Sequence, residues 1–216
     1  MVKLSRRLEA ILSELNGETC ADIGCDHGKL IVSALLKDKV KFGYAVDISK
    51  KSLEKAEVLS REENVASRLT LLYSDGATDL PQKVSIAVIA GMGATETVHI
   101  LSQGDFAEKY VLSPHQDPQI LRSYLKNNSF FVEKDYIVFD KKYYPIIVAV
   151  KGESNYTDEE LFLGKNKPET AEFFSYVKIR KKQLDKLNDL IQDKINPKTK
   201  AEKEEVDRWY SKKSLI

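Results

Sequence analysis

The stretch Asp22-Ile23-Gly24-Cys25-Asp26-His27-Gly28 decides the fold class, because it joins a β-rich run at 19–23 to a helical pattern at 30–36. Its glycines allow backbone amides to approach a ligand closely, and the start of a helix offers unpaired N–H groups. The G-x3-G spacing differs from the G-x-G-x-x-G of dinucleotide-binding folds, and the preceding acid suits a positive amino group better than a pyrophosphate. The alternative is a plain strand-to-helix connection. The predicted ligand contacts in this turn are Asp22, Gly24, Cys25 and Gly28.

On both sides of this turn, short β-rich runs alternate with helical patterns. The β-rich runs lie at 19–23, 42–46, 69–73, 84–90 and 109–112, and the helical patterns lie at 30–36, 53–62, 95–101 and 120–125. This alternation is typical of an α/β protein with a mostly parallel sheet covered by helices on both faces. Two further β-rich runs, at 130–139 and 144–150, have no helix between them. We therefore expect an antiparallel hairpin at the sheet edge, joined through residues 140–143.

Two more acids follow the second and third predicted strands. Asp47, followed by Ile48, lies 19 residues beyond Gly28, where a doubly wound sheet presents a carboxylate to ribose hydroxyls. Asp75, followed by Gly76, ends the third strand. Because ligands of such sheets bind outside the carboxyl ends of the strands, these acids and the first turn together predict an S-adenosylmethionine pocket. Individually, Asp47 or Asp75 is also compatible with a helix cap.

The fourth strand ends in Ala90-Gly91-Met92-Gly93-Ala94. Many amino-group methyltransferases carry Asn or Asp followed by Pro-Pro and an aromatic residue here, so this subclass is disfavoured. We predict that Gly91 and Met92 line the cofactor site, with Met92 as a flexible apolar wall, and that Gly93 lies near the substrate. The alternative is that the glycines serve tight packing of helix on strand.

An amphipathic helix opens the chain, and a highly charged helical segment closes it. Apolar spacing from Leu4 to Leu15 predicts the first helix, with Lys3, Arg6 and Arg7 on its other face. From Gly152 onward, Val and Ile thin out while charged residues dominate. We therefore expect a Rossmann-like domain at 1–152 and a helical tail at 153–216.

The tail has the pattern of a coiled-coil-like helical hairpin. A narrow apolar stripe predicts one long helix, broken at Asn196-Pro197, and a shorter helix follows from about Thr199. The hairpin is either a solvated helix pair or a binding arm. The stripe of the first helix consists of Phe173, Val177, Leu184, Leu187, Ile191 and Ile195. The inward residues of the second helix are Val206, Trp209 and Tyr210.

Composition restricts the remaining possibilities. The 34 Lys and Arg residues offset 33 Asp and Glu to a net charge of +1, so no global basic field indicates nucleic acid and the partner stays open. The longest uncharged run, 86–94, is far shorter than the ~20 residues of a membrane span, and charges interrupt the first twenty residues, unlike a secretory signal. With two cysteines, Cys20 and Cys25, we expect free thiols, no metal, and a cytoplasmic location.

Four short stretches of the sequence are specific enough to indicate a resemblance to a known protein family. They are Asp-Ile-Gly-Cys-Asp-His-Gly (22–28), Gly-Met-Gly (91–93), Leu-Ser-Arg-Arg-Leu (4–8) and Lys-Tyr-Tyr-Pro-Ile-Ile (142–147). The chain thereby resembles the bacterial tRNA adenine-22 N1-methyltransferase family over residues 1 to about 150, and its tail matches by layout. It departs from the family pattern at Ala94 and at Leu-Ser-Pro-His-Gln (112–116). The resemblance implies a Rossmann-like class I methyltransferase that uses S-adenosylmethionine to methylate N1 of an adenosine in the tRNA D-arm.

Roles for further residues follow from the resemblance and from the chemistry of N1. Adenine N1 carries a free lone pair, so alignment is the main requirement, and the cationic product needs a nearby acceptor. We predict Asp26 as that stabiliser and His27 as a substrate contact; a turn-capping Asp and an exposed His are the alternatives. The predicted tRNA phosphate contacts are Arg6, Arg7, Lys29, Lys178, Arg180, Lys181 and Lys182, with ordinary solvated charges as the alternative.

Two other functional classes stay open at this level. One keeps the cofactor and changes the acceptor to another RNA, a protein or a small molecule. The other is a non-catalytic module that binds the cofactor or RNA and acts through its tail. For the main reading we expect tRNA as the partner, a monomeric protein, and neither a membrane nor a metal.

Overall fold

The computed structural model describes residues 2–167, 170–191 and 196–213. The chain divides into two compact units, residues 1–155 and residues 156–216. The first unit contains every strand of the described ranges, and the second contains helices. Within the described ranges, no helix combines the length and the apolar character that crossing a membrane requires.

A seven-stranded sheet forms the first unit. Its strands are β1 (Gly17–Ile23), β2 (Val40–Asp47), β3 (Leu69–Tyr73), β4 (Val84–Ala90), β5 (Ala107–Ser113), β6 (Phe130–Asp140) and β7 (Lys142–Lys151). Their order is β3-β2-β1-β4-β5-β7-β6, with β1 to β5 parallel and β7 antiparallel to both β5 and β6. The predicted fold class is confirmed. The β6–β7 turn is tighter than expected, because Lys141 alone, at φ 64°, separates the two strands.

One helix precedes β1 in the first unit, and four helices and a short 3-10 turn at Ala66–Arg68 lie in the connections between its strands. Each helix of a parallel crossover returns the chain to the amino end of the next strand, so the carboxyl ends of β1 to β5 share one edge. The strand order reverses between β1 and β4, which opens a crevice at that edge. The helices are α1 (Arg6–Ser13), α2 (Lys29–Leu36), α3 (Lys50–Glu62), α4 (Ala94–Leu101) and α5 (Pro118–Asn127).

Helix α1 corrects one sequence expectation. Ser5 caps its first turn, and Ile11 and Leu12 are buried as the apolar spacing predicts. Arg7, however, is only 9% exposed, whereas Arg6 is exposed. The placement of Arg7 on the solvent face was wrong, because residues four apart share a helix face and Arg7 shares that of Ile11.

The core lies between the sheet and its helices. Helix α2 is buried almost throughout, with Ile31 and Leu35 fully inaccessible. The absence of a side chain at Gly43 lets α2 approach β2 closely, since an added Cβ would lie 2.7 Å from Cγ1 of Ile31. This close packing sets the position of the turn between β1 and α2.

The second unit contains α6 (Glu160–Leu163), α7 (Ala171–Ile191) and α8 (Pro197–Lys213), and α7 packs against α8. The rings of Phe173 and Trp209 meet edge to face at 5.2 Å. Phe173, Val177 and Leu184 form the buried stripe as predicted, but Leu187 is 36% exposed and is not part of it. Asn196 caps α8 by accepting the amide of Thr199. Ile195 and the side chain of Ile191 lie outside the described residues.

Candidate active site

The turn between β1 and α2 alternates into left-handed backbone at Gly24 (φ 74°), Asp26 (φ 51°) and Gly28 (φ 68°). An added Cβ at Gly28 would lie 2.6 Å from Cβ of Ala56 on α3, so the turn packs directly on that helix. At Gly24 it would contact the terminal methyl of Met92, which can move aside. The turn therefore needs glycine for its backbone angle at both positions, and for space at Gly28.

A cavity of about 590 Å³, here called the β2–β3 cavity, opens at the ends of β1, β2 and β3. Such a volume is in the usual range for a small-molecule site. It brings together six of the predicted cofactor contacts: Gly24, Asp47, Ile48, Asp75, Gly76 and Met92. The remaining lining residues were not foreseen from the sequence: Ile23, Ser74, Thr95, Glu96, His99 and Ile100.

The carboxylate of Asp47 links the end of β2 to the turn between β1 and α2. Its Oδ2 accepts the backbone N–H of Asp26 at 3.0 Å, and its Oδ1 accepts that of Ser49 at 2.8 Å. Each carboxylate oxygen retains a further lone pair for a hydroxyl donor. Asp75 is exposed, and Gln103 holds its segment by donating to the Asp75 carbonyl and accepting the amide of Ala77. These contacts hold the two acids at the mouth of the cavity.

A second cavity of about 440 Å³, here called the Asp22 cavity, shares Gly24 with the first. It is lined by Ser5, Arg7, Leu8, Asp22, Gly24, Cys25, Asp26, His27, Lys29, Leu30, Ala90, Gly91 and His115. Asp22 is 5% exposed, and burial raises its pKa to about 7, opposed by a hydrogen bond from the Ile31 amide. The charges of Asp47 and Asp26 raise it further. A cation placed in this cavity would favour the ionised form of Asp22.

Arg7 reaches the Asp22 cavity from α1. Its Nε donates to Oγ of Ser113 at 3.0 Å, its Nη2 donates to the Ser113 carbonyl at 2.7 Å, and its Nη1 lies 3.0 Å from Nε2 of His115. The guanidinium carbon lies 4.6 Å from the ring centre of Tyr144. Burial lowers the pKa of Arg7, which the Tyr144 and Asp140 charges oppose. Arg7 is therefore buried rather than exposed, and its predicted role as a phosphate contact stays a prediction.

The partners of Arg7 were missed from the sequence. Burial lowers the pKa of His115, and the charges of Arg7 and Lys142 lower it further, so the imidazole is neutral and accepts from Arg7. A signal did exist, because Ser113 and His115 lie in the string 112–116 and Tyr144 lies in the string 142–147. Neither string reveals by itself that its residues meet Arg7, more than 100 positions away.

Asp26 and His27 lie at the rim of the Asp22 cavity. Their side chains are 77% and 42% exposed, and Nε2 of His27 lies 3.3 Å from Oδ1 of Asp26. The same nitrogen lies 2.8 Å from Nζ of Lys55. Both side chains are accessible to a large substrate, and their predicted roles stay predictions.

Of the other predicted site residues of the first unit, three line the Asp22 cavity and Gly93 lies outside both cavities. Gly91 (φ 88°) faces the Asp22 cavity, and an added Cβ there would lie 3.9 Å from Nη1 of Arg7. Cys25 is buried in the wall of that cavity, and burial raises the pKa of its thiol. Lys29 lines the same cavity with an exposed side chain. Gly93 lines neither of the two cavities and begins α4, where its carbonyl accepts from Thr97.

In the second unit, the predicted basic run is partly neutralised by carboxylates. Arg180 donates to both carboxylate oxygens of Glu202, at 2.6 and 2.9 Å. Lys181 contacts Asp185 at 2.9 Å and Asp207 at 2.6 Å. Arg180 and Lys181 are therefore already paired with carboxylates, which α8 supplies opposite them, and the role of the four residues as tRNA contacts stays a prediction. Lys178 and Lys182 are exposed.

No group of three or more His, Cys, Asp or Glu side chains that could hold a metal occurs in the described ranges. Both cavities lie at the carboxyl ends of parallel strands, beside the reversal of strand order, and the turn that they share begins with a buried acid and lacks the G-x-G-x-x-G spacing of dinucleotide folds. Fold and site together define the class of α/β methyltransferases.

Comparisons with known proteins agree with this class. A family model described as "Methyltransferase domain" matches residues 4–147. The chain is 28% identical over 159 residues to the tRNA (adenine(22)-N(1))-methyltransferase of Bacillus subtilis, covering 70% of this chain and 67% of that protein. It is 30% identical over 151 residues to a Mycoplasma pneumoniae protein named "Putative tRNA methyltransferase", covering 66% of this chain and 70% of that protein. The chain belongs to the methyltransferase-domain family, and both relatives agree with the resemblance that its motifs indicated.

Solved structures show the same fold over nearly the whole chain. The B. subtilis m1A22 tRNA methyltransferase TrmK superposes with a TM-score of 0.81 at 23% identity, covering 98% of this chain and 97% of that one. M. capricolum TrmK, in complex with S-adenosylhomocysteine, superposes with a TM-score of 0.85 at 20% identity, covering 96% and 98%.

Proposed function

We propose that this protein transfers a methyl group from S-adenosylmethionine to N1 of adenosine 22 in the D-arm of tRNA. The observation that carries the proposal is the meeting of two cavities at Gly24: an acid-rimmed cavity suited to a nucleoside, and the Asp22 cavity, whose buried carboxylate suits an amino acid group and whose rim at Asp26 and His27 is exposed. The relationship to the B. subtilis enzyme supports the same acceptor. We further propose that the protein acts as a monomer in the cytoplasm, where its tRNA substrate is found.

The residues of the two cavities fit the cofactor in charge and shape. Ile48, Met92 and Ile100 offer apolar walls to an adenine ring, and Asp47 offers carboxylate oxygens to ribose hydroxyls. Asp22, in the adjoining cavity, offers a buried carboxylate to an ammonium group. When bound, S-adenosylmethionine supplies an electrophilic methyl group on a positively charged sulfur.

Adenine N1 attacks without prior deprotonation, so the protein's main task is to align the two reactants. Ring atom and methyl carbon must lie in line with the sulfur, and the shared wall at Gly24 places the two cavities side by side for this. The base becomes cationic as the new N–C bond forms. Asp26, at the exposed rim of the Asp22 cavity, stabilises that charge, and His27 contacts the substrate.

The acceptor adenosine must leave its stack before N1, on the Watson–Crick edge, can react. The exposure of Asp26 and His27 leaves the cavity mouth open to an extruded nucleotide. Exposed cations on the same unit, Arg6 and Lys29, and those of the tail, Lys178 and Lys182, hold the RNA through phosphate contacts. Arg180 and Lys181 contribute less, because carboxylates already bind them.

The test is methylation of unmodified tRNA transcripts with labelled S-adenosylmethionine. A transcript with adenosine at position 22 should incorporate label, and the matched transcript with guanosine there should not. Nucleoside digestion and mass spectrometry should identify 1-methyladenosine as the product. Equal labelling of both transcripts, or of neither at saturating cofactor, contradicts the proposed acceptor.

A pair of variants separates the two cavities. Asp47→Ala should weaken S-adenosylhomocysteine binding by roughly 10- to 100-fold, as the loss of charge-assisted hydrogen bonds does. Asp26→Asn should bind this ligand normally and lower kcat, because it removes only the charge opposite the product cation. Full turnover by Asp26→Asn at saturating cofactor assigns Asp26 to shaping the turn instead.

A further inference from the structure

Arg7 is a buried cation whose guanidinium has no carboxylate within ion-pair distance among the described residues. A guanidinium has five N–H groups, and three of them bind Ser113 Oγ, the Ser113 carbonyl and His115 Nε2. One N–H on each terminal nitrogen remains. Buried charges in proteins are usually paired with an opposite charge, so these two remaining donors call for an anion from outside the chain.

The position of Arg7 indicates which anion. Arg7 and Asp22 line the same cavity, and Nη1 of Arg7 lies close to Gly91, where the missing side chain leaves space. The cavity thus presents one buried carboxylate and one buried guanidinium to a single ligand. An α-amino acid group, which carries an ammonium and a carboxylate on one carbon, is complementary to both.

We propose that Arg7 binds the carboxylate of the cofactor's methionine moiety, with its two remaining N–H groups in the bidentate arrangement that guanidinium and carboxylate favour. This inference rests on the proposed function, since it requires S-adenosylmethionine as the ligand. Asp22 binds the ammonium on the same carbon. Because Ser113 and His115 orient the guanidinium, and Tyr144 covers it, Arg7 is a pre-formed positioning residue for the amino acid end of the cofactor.

A tRNA phosphate is the other anion that this cation could bind, and the geometry disfavours it. Arg7 is only 9% exposed and the Tyr144 ring covers its guanidinium, whereas a phosphate within RNA needs a surface that can also accommodate the neighbouring nucleotides. Arg6 and Lys29, the exposed cations nearby, meet that requirement.

The experiment compares two ligands that differ by the carboxylate alone, S-adenosylmethionine and decarboxylated S-adenosylmethionine, by calorimetry at pH 7. Wild-type protein should favour the carboxylate form by about 10- to 100-fold, as expected for a charge-assisted pair. Arg7→Met should reduce this ratio to about threefold or less, mainly by weaker binding of the carboxylate form. Arg7→Lys should give an intermediate ratio, because it keeps the positive charge but loses the paired N–H donors of the planar guanidinium.

The ratio is measured within one protein, so partial unfolding of a variant does not change it. Lys3→Met, which removes an exposed cation near α1, is the matched control and should keep the wild-type ratio. Wild-type protein that binds neither ligand overturns the cofactor assignment, and the inference with it. A preference that survives Arg7→Met overturns the inference alone, and a loss of tRNA affinity in that variant would then assign Arg7 to a phosphate.

Discussion

The first unit buries two arginines, and their surroundings differ in one respect. Arg122 and Asp135 are both fully inaccessible, and the guanidinium donates to the two carboxylate oxygens at 2.8 and 3.0 Å. Arg7 is nearly as buried, yet its side chain meets a hydroxyl, a carbonyl and an imidazole, which are all neutral. One cation is neutralised inside the protein, and the other is held by dipoles beside a cavity.

The difference teaches how burial alone should be interpreted. A buried ion pair stabilises the fold only relative to its half-broken form, because removing one partner strands the other charge. A buried cation whose direct side-chain partners are neutral carries a desolvation cost that is only partly compensated in the free protein, here by the charge of Asp140, and the binding of an anion recovers more of it. Arg122 therefore belongs to the structure of the first unit, and Arg7 to its site.

The largest effect is expected at the structural pair. Asp135→Ala should lower the free energy of unfolding by about 3 to 5 kcal/mol, because it leaves the Arg122 charge buried without its carboxylate. Urea denaturation followed by circular dichroism measures the loss. The double variant Arg122→Met/Asp135→Leu removes both charges and should recover most of it. A loss below about 1 kcal/mol in Asp135→Ala would remove the contrast with Arg7.

The next effect is the pH dependence of Asp22. Its pKa in the folded protein is about 7, against about 3.9 unfolded, so the native state holds a proton that the unfolded state releases between these values. This stabilisation is fully present below about pH 4 and decreases as the pH rises from 4 to 7. Above pH 7, Asp22 causes no further change in stability. S-adenosylhomocysteine, through its ammonium, should favour ionised Asp22 and bind more tightly as pH rises to 7, by up to about tenfold per unit.

Asp22→Asn is the control for these pH effects. This variant keeps the other titrating groups of the protein and the amino group of the ligand. It should reduce the pH dependence of the free energy of unfolding below pH 7, and that of S-adenosylhomocysteine affinity. Calorimetry in buffers of different ionisation enthalpy should detect proton release on binding at pH 6 in the wild type only. Identical profiles for the two proteins would mean that Asp22 titrates near its ordinary pKa.

A smaller effect on stability is expected at Arg7. In the free protein, Arg7→Met should change the free energy of unfolding by about 1 kcal/mol, because lost hydrogen bonds to Ser113 are offset by relief of the buried charge. The stabilisation that S-adenosylhomocysteine confers should fall markedly. Thermal melts with and without ligand measure both quantities. A loss of 3 kcal/mol or more in the free protein would place Arg7 with Arg122 as a structural residue.

The smallest effect extends the comparison to the tail. Lys178→Gln/Lys182→Gln removes exposed cations, and should lower the salt slope of tRNA binding by about 0.7 to 0.9 per lost phosphate contact without changing the melting temperature. Arg180→Gln/Lys181→Gln should lower the melting temperature instead, because it leaves the Glu202 carboxylate without Arg180 and removes one of the two lysines that bind Asp207. Binding across a salt series distinguishes them. Coincident slopes for wild type and the exposed pair would exclude these cations as RNA contacts.

The strand and helix pattern was readable from sequence, because period and turn chemistry are local properties. β3 and β4 have the predicted limits, and α2 and α4 differ by one residue. The closing hairpin was foreseen, but its length was not, since left-handed backbone at Lys141 depends on strand pairing rather than on lysine. The predicted boundary at 152 stays a prediction; Asn155 adds to the first unit by bonding both backbone groups of Val132.

The sequence by itself determined the α/β class, the turn at 22–28 and the acids at the ends of β1, β2 and β3, because a parallel sheet brings consecutive strand ends to one edge. Only the tertiary structure decided which cations are neutralised. Arg7 meets Ser113 across 106 positions and Lys181 meets Asp207 across 26, and no local pattern encodes such partners. The charge of a side chain is written in the sequence, whereas the group that balances it depends on which elements pack together.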